Sequence, residues 1–536
     1  MIVTKESISS MSYSDQIQST ASGKTIRRIG LGSLAVLIGQ GINILGQILV
    51  VPLFLRAWGQ QLYGEWITLY AMVGYTSLLN FGMQTYVVNR LNQFYSVGRL
   101  NDYTHILHSA LSLYLGIVVI AGSLIAVTVF VTPIGQWLNL KDMDHITTSI
   151  VALLLAIQVI LAIPQGLIVG LYRTFQEFPR GAMLANFQRA SILGLTVLTL
   201  LVGGKIIQVA AVQLIPIMAF AAFILYDINK RHPEVKIGLS QSDWRLAITF
   251  LGPSLLFFLI QISGALTVQG SIIVVSAFAG PAYVAVFAIH RTLTNLIHQI
   301  VGSLNTALWP ELTTLEAHGD YSRLRVVHRS FVKMSFAACV FAGIWLHFTG
   351  KDIIEVWTLG RIAFDQRLLD IFLIYLVLQA PWLGSSVFSA AFNRHRNLAA
   401  CYILSAVLGI GLAVVLIQHW GIFGVAAGLL IGDVLVCGWF IPLDTCRILG
   451  DNIGKYWAEV LIRGLPLIAI VWGVAWSLAQ LEALPILRIL TIGGGIITVG
   501  IGLGYFFWLN SQERRQVLSI GTPLWNKIFR LNLRKV

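Results

Sequence analysis

The sequence predicts an all-α polytopic membrane protein of about fourteen transmembrane helices, arranged as two six-helix bundles with two helices appended at the C-terminus. Three observations carry this reading. Of the 536 residues, 57% are hydrophobic and only 11% charged, and the mean hydropathy is +0.79. Apolar runs recur at the length, about 20 residues, that crosses a hydrocarbon core of roughly 30 Å as a helix. Most of the 36 Lys and Arg residues fall on alternate connections between those runs, the asymmetry that orients membrane proteins. The same distribution explains the net charge of +13 without nucleic acid as a partner.

Residues 1–30 are polar and serine-rich and read as a cytoplasmic tail. The first apolar run lacks a small-residue processing site, so it is a first span and not a removable signal peptide. Spans are expected at 31–55, 62–89, 107–132, 147–171, 181–202, 206–227, 246–278, 283–310, 333–357, 368–392, 398–418, 421–446, 459–480 and 484–509. An even number places both termini on one side, and the charge asymmetry makes that side cytoplasmic. The resulting divisions are an N-terminal bundle at 31–230, a cytoplasmic linker at 231–245, a C-terminal bundle at 246–446, appended helices 13 and 14 within 447–509, and a basic cytoplasmic tail at 510–536. That tail carries Arg514, Arg515, Lys527, Arg530, Arg534 and Lys535 around Trp525 and Phe529. It reads either as a segment lying on anionic lipid or as a solvated topology signal.

An internal repeat of six spans is expected. The heptapeptide Val209–Ile215 matches Val425–Ile431 at five positions with an offset of 216, and Pro164-Gln-Gly recurs loosely as Pro381-Trp-Leu-Gly with an offset of 217. Such a repeat keeps both halves in one orientation, related by an axis along the membrane normal, with a substrate site at their interface.

The span at 283–310 organises the polar groups. Arg291, Asn295, His298, Gln299 and Gly302 follow helical spacing and share one face, which must meet other helices or a wet cavity. Span 1 carries Gln40, Asn43 and Gln47 on one face, span 2 carries Asn80 and Gln84, and span 7 carries Gln261 and Gln269 two turns apart. Amides offer donors and acceptors in fixed geometry and suit sugar hydroxyls; interhelical hydrogen bonds are the alternative use. Arg291 sits deep enough to grip phosphate oxygens bidentately, or else to pair with a carboxylate such as Asp433 or with helix carbonyls. Arg189, with Asn186 one turn before it, is a further candidate, for which snorkelling to the interface is the competing account. Asp433, in the middle of span 12, is the candidate for ion coupling, whereas Glu65 opens span 2 and reads as interfacial.

Enzyme motifs fail on context. Gly500-Ile-Gly-Leu-Gly504 lies inside a span and reads as a helix-packing face, and Gly203-Gly-Lys205 is followed by no Ser or Thr. Cys339, Cys401, Cys437 and Cys446 lack paired spacing and read as small core residues, so no metal site and no cofactor is expected.

Four stretches resemble the polysaccharide-transport, or oligosaccharide flippase (Wzx-like), family of the multidrug/oligosaccharidyl-lipid/polysaccharide (MOP) exporter superfamily. They are Trp58-Gly-Gln-Gln-Leu-Tyr-Gly-Glu-Trp66; Leu79-Asn-Phe-Gly82 with Arg90; Leu308-Trp-Pro-Glu-Leu312 with Ala317-His-Gly-Asp320 and Arg323-Leu-Arg325; and Trp420-Gly-Ile-Phe-Gly-Val-Ala-Ala427. The resemblance implies a non-enzymatic, multi-pass protein of the bacterial cytoplasmic (inner) membrane. Such a protein moves undecaprenyl-pyrophosphate-linked oligosaccharide between leaflets by alternating access for O-antigen, capsule or exopolysaccharide synthesis. The implied partners are the lipid bilayer, the lipid-linked glycan, H+ or Na+ as coupling ion, and polysaccharide polymerase or export machinery. Two departures stand out. Gln269-Gly-Ser271 occupies a place where many relatives carry an acidic residue, and fourteen spans match peptidoglycan-precursor flippases better than twelve-span O-antigen flippases. A cation-coupled multidrug exporter of the same superfamily is the alternative. A polytopic glycan polymerase or ligase is a third class, but the sequence lacks the sizeable outer loop such enzymes use.

Overall fold

The computed structural model describes residues 6–503 apart from 393 and 482, so the basic tail at 510–536 and Gly504 lie outside the described residues. Among the described residues every regular element is helical. Ten stretches there are long and apolar enough to cross a membrane. Two of them, Gly30–Ser96 and His395–Leu449, each contain two of the expected spans. They turn at glycines with non-helical backbone, Gly59 (φ 75°, ψ −179°) and Gly421 (φ 58°, ψ −146°).

Span 2 departs from the single helix its composition predicts. After Gly74 the chain tightens into a 3-10 turn, Tyr75–Asn80, passes through left-handed Phe81 and Gly82, and resumes as Met83–Ser96. Asn80 and Gln84 are therefore not neighbours on one helical face. Span 7 also departs from ideal geometry: between Leu251–Ala265 and Ser271–Ala279 it contains a π turn, Leu266–Gly270, which includes Gln269.

The chain divides into two compact units, one comprising the segment up to Ala57, Thr76–Ile134 and Asp144–Leu255, the other Trp58–Tyr75, Gly135–Met143 and the chain from Leu256. In the first unit a core built on Leu91, Tyr103, Leu107, Tyr114, Leu171 and Ile224 joins the helices Met83–Ser96, Leu100–Val131, His145–Thr174 and Leu214–Arg231. Two ion pairs hold one end. Arg180 meets Asp227 at 2.6 Å, with the Tyr172 hydroxyl donating to the same carboxylate, and Arg231 meets Glu177 at 2.5 Å. The 231–245 linker packs against the helix Leu100–Val131. His108 bonds the Lys236 carbonyl through Nε2 at 2.7 Å and accepts the Gln241 N–H at Nδ1, an arrangement that requires the neutral ring.

In the second unit, Val332, Phe336, Val340, Val460, Val471 and Ile496 form the core that docks the helices Leu465–Ala479 and Pro485–Leu503 onto the helix Tyr321–Thr358. Arg488 from the last helix forms an ion pair with buried Asp352. Gly500 lies so close to the Phe341 ring that an added Cβ would sit 2.8 Å from it. Glu65, expected at the membrane interface, is fully buried within the protein. Its carboxylate accepts three consecutive backbone N–H groups, from Lys141 at 2.6 Å, Asp142 at 2.7 Å and Met143 at 3.1 Å, and also the Gln61 amide. Beside it the Thr68 hydroxyl meets Ser276 Oγ, which donates to the Leu138 carbonyl at 2.6 Å. One carboxylate thus fastens the 135–143 segment to the 58–75 helix.

The backbone carries the repeat further than the side chains do. Left-handed glycines recur 221 residues apart at Gly59 and Gly280 and at Gly98 and Gly319, and 218 apart at Gly203 and Gly421. The turns around Gly98 and Gly319 match in detail. Each is followed by an N-cap residue with nearly equal dihedrals, Arg99 (φ −82°, ψ 68°) and Asp320 (φ −81°, ψ 65°). Each is closed by the same backbone bonds, Arg99 N–H to the Phe94 carbonyl at 3.0 Å and Asp320 N–H to the Leu315 carbonyl at 3.1 Å. Prolines occupy helix interiors 217 residues apart, Pro164 and Pro381, and the Arg180–Asp227 bridge recurs at the same offset as Asn397 donating to Asp444.

Replacing Glu65 by Ala leaves three backbone donors, of which Met143 is buried, without their acceptor, and hydrogen bonds to a charged group are worth roughly 1.5–3 kcal/mol each. A fall of several degrees in the unfolding midpoint of purified protein is expected, with Glu65→Gln recovering part of it; an unchanged midpoint would show that Glu65 does not hold the segment.

Candidate substrate-binding site

The helix Pro281–Ala317 starts behind Gly280 (φ 94°, ψ 164°), with proline at its first position, where the missing N–H is not needed. Gln60 donates to the Ala282 carbonyl at 2.9 Å, and Gly64 lies against the Pro281 carbonyl with no space for a side chain. Val284, Phe287 and Ile289 are buried. Arg291, Thr294, Asn295 and His298 share one side of the helix, with Val284 and Phe287 one to two turns before Arg291 on that side, and line a cavity of about 260 Å³. Thr267 and Val268 of span 7, Phe372, Tyr375 and Gln379 of the helix Gln366–Ala391, and Leu429 complete its wall.

Arg291 is held from one side. Its Nη1 donates to Ser271 Oγ at 2.8 Å and to the Val268 carbonyl at 3.2 Å, and its guanidinium carbon lies 5.5 Å from the centre of the Phe287 ring. The Val268 carbonyl lies in the π turn and also accepts the Ser271 hydroxyl at 3.0 Å. Among the described residues Arg291 forms no ion pair with a carboxylate, and both of its protein hydrogen bonds use Nη1. Nε and Nη2 remain as a planar pair of donors for an anion.

Asp433 does not pair with Arg291. Buried behind the cavity wall, it accepts Ser405 Oγ at 2.8 Å, Gln379 Nε2 at 3.2 Å and the Tyr375 hydroxyl. Three neutral O–H and N–H donors and the Cys437 thiol surround the carboxylate, and two of them, Tyr375 and Gln379, also face the cavity. The amide of Gln379 is thereby oriented: its nitrogen serves Asp433, and its oxygen is left as an acceptor.

The other expected site residues are distributed unevenly. His290, next to Arg291, is fully buried and faces away from the polar stripe; its Nδ1 meets the Val286 carbonyl at 2.8 Å and its Nε2 accepts the Asp365 N–H at 3.0 Å. Gln299 is not among the cavity-lining residues, while Gly302 joins His298 along a much smaller void. In span 7, Gln261 is exposed, and Gln269 is half-buried with its carbonyl oxygen lacking a hydrogen-bond partner. The span 1, 2 and 5 candidates belong to the first unit. There Gln40 and Gln47 are half-buried and Asn43 is exposed. Asn80 accepts the Tyr114 hydroxyl at 2.7 Å, and Gln84 donates to the Gly166 carbonyl at 2.7 Å, so both make the interhelical bonds given above as the alternative use. Arg189 is exposed and reaches only Asn186, whose amide donates to the Ala35 carbonyl at 2.6 Å. Tyr375, Gln379, Ser271 and Thr294 escaped the sequence reading, although Tyr375 and Gln379 stand one turn apart in an otherwise apolar span.

Long apolar helices around a polar, arginine-bearing cavity define a polytopic membrane protein. No protein-family profile and no curated protein sequence matches the chain. Solved structures do. The lipid II flippase MurJ in an inward closed conformation aligns over 89% of this chain and 98% of its own, with a TM-score of 0.66 at 14% identity. An inward-facing multidrug resistance MATE family transporter of the MOP superfamily aligns over 80% of this chain and 99% of its own, with a TM-score of 0.59 at 17% identity. A MOP superfamily transporter from Pyrococcus furiosus, described as having a binding pocket of reverse polarity, aligns over 79% and 96% with a TM-score of 0.51 at 16% identity. The chain therefore has the fold shared by these flippases and exporters.

Removing the Asp433 carboxylate should strip Tyr375, Gln379 and Ser405 of their common acceptor at a cost of roughly 1–3 kcal/mol for each group left unsatisfied. Asp433→Ala is expected to lower the unfolding midpoint clearly more than Ser405→Ala; equal effects would mean that the three donors do not depend on Asp433.

Proposed function

We propose that this protein is a flippase that carries undecaprenyl-pyrophosphate-linked oligosaccharide from the inner to the outer leaflet of the bacterial cytoplasmic membrane by alternating access, in polysaccharide biosynthesis. The observation that carries the reading is Arg291. A guanidinium anchored through one nitrogen, without a carboxylate partner among the described residues, faces a cavity within a membrane-spanning helix bundle. Keeping a cation there is costly unless it has work to do, and its open donors match the oxygens of a phosphate. Around it Asn295, His298, Tyr375 and Gln379 supply the neutral donors and acceptors that sugar hydroxyls require. A volume of about 260 Å³ accommodates part of a head group, with the prenyl chain remaining in lipid. The fold likeness to a lipid II flippase supports the same reading. Gln269, Gln299, Gln261, Gln40, Asn43 and Gln47 remain proposed contacts for a longer glycan.

Arg291→Ala should abolish surface glycan while the protein still accumulates in the membrane, and Arg291→Lys should restore only part, because an ammonium lacks the planar fork. Surface glycan at wild-type level in Arg291→Ala would remove Arg291 from the transport mechanism.

A cation-coupled multidrug exporter is the second reading, favoured by one observation: Asp433 is a buried carboxylate joined through Tyr375 and Gln379 to the cavity wall. If that reading holds, overexpression raises tolerance to cationic dyes and Asp433→Asn abolishes the gain. Unchanged tolerance on overexpression leaves the flippase reading.

A further inference from the structure

At one end of the second unit, away from the Arg291 cavity, His328, Cys446 and Asp451 bring a ring nitrogen, a thiol and a carboxylate oxygen within 4.8 Å of one another. His328 projects from the helix Tyr321–Thr358, Cys446 from the last turn of the helix His395–Leu449, and Asp451 from the turn that follows it. The left-handed Gly450 reverses the chain, and the Asp451 N–H bonds the Cys446 carbonyl at 2.7 Å, so the helix end itself places the thiol beside the carboxylate.

The imidazole is the informative member. His328 is fully buried, stacked on Tyr456, and its Nε2 lies 2.9 Å from Ser385 Oγ. Ser385 Oγ also lies 3.0 Å from the Pro381 carbonyl and 3.2 Å from the Tyr456 hydroxyl, which is itself 3.1 Å from that carbonyl, so this network accepts either tautomer of the ring. Nδ1 has no hydrogen-bond partner in its buried position. An unpaired buried polar atom of this kind costs roughly 1–3 kcal/mol and calls for an occupant, and in the tautomer with Nε2 donating to Ser385 it presents a lone pair to a cation. A hydrogen-bond acceptor on the far nitrogen also orients a metal-ligating ring. Asp451 retains capacity as well. Arg329 bonds both its oxygens and the Asn452 N–H bonds one, which fills three of about four lone-pair sites.

We propose that His328 Nδ1, Cys446 Sγ and Asp451 form a site for a divalent ion of the zinc class, with a small ligand such as water in the fourth position. A mixed nitrogen, thiolate and carboxylate set selects zinc, or cobalt as its spectroscopic substitute, over magnesium or calcium. Tetrahedral bonds of about 2.0–2.3 Å place ligand atoms roughly 3.3–3.8 Å apart, so the ion draws these three together by up to about 1 Å. Charge is partly balanced. Arg329 and Lys333 are already balanced by Asp451 and Glu459, and the proton that Cys446 releases on binding offsets one of the two positive charges brought in, which leaves one to be met by deprotonation of the water in the fourth position. Bound there, the ion clips the end of one long helix and the turn before Ile453–Val460 to a third element, Tyr321–Thr358.

The test uses full-length protein in detergent, stripped with chelator and reloaded with Zn2+ or Co2+. After gel filtration the wild type should keep about one ion per chain, and the Co2+ form should show thiolate-to-cobalt charge-transfer absorption. Cys437→Ser, at another buried cysteine, should keep both signals, whereas Cys446→Ser and His328→Gln should lose them. Absence of retained metal and of the charge-transfer band in the wild type would overturn the proposal without reliance on any variant; so would equal retention by Cys446→Ser.

Discussion

Every polar group enclosed by this chain's apolar helices needs a partner, because hydrocarbon offers none. That constraint decides more of the structure than any apolar contact. It places three backbone N–H groups on Glu65, three neutral donors on Asp433, the Gln84 amide on a glycine carbonyl and Arg488 on Asp352. Read this way, the partly satisfied groups are the informative ones. Arg291 spends one nitrogen on the protein and keeps the remainder, and His328 keeps one ring nitrogen unpaired. Both lie in the second unit but in different surroundings, one lining a cavity and the other packed dry.

Much of this was legible in the sequence because membrane helices are written in length and hydropathy. The polar stripe of the 283–310 span puts Arg291, Asn295, His298 and Gln299 on one side, since a helix fixes which residues share a face, and the first three line the cavity while Gln299 does not. The same logic failed where the backbone left ideal helical geometry. No composition signal announced the 3-10 turn that separates Asn80 from Gln84, and that error followed from counting residues through an irregular segment. The bonds of Glu65 were not legible for another reason. The N–H groups it accepts begin 76 residues away, and nothing local to either stretch names the other. Tyr375 and Gln379 were missed because a tyrosine and a glutamine in an apolar run look like ordinary packing until Asp433 is seen behind them.

The irregular segments also position the chemistry. The Val268 carbonyl, inside the widened segment Leu266–Gly270, holds the guanidinium at the cavity wall together with Ser271 at the segment's end. Here a local defect in secondary structure is the mounting for a charged side chain.

The matching turns at Gly98 and Gly319 have a consequence for the chain's descent. Their dihedrals and closing bonds agree while the residues after them, Arg99 and Asp320, carry opposite charge. If the halves arose by duplication of an ancestral gene, selection kept the joints and released the surfaces.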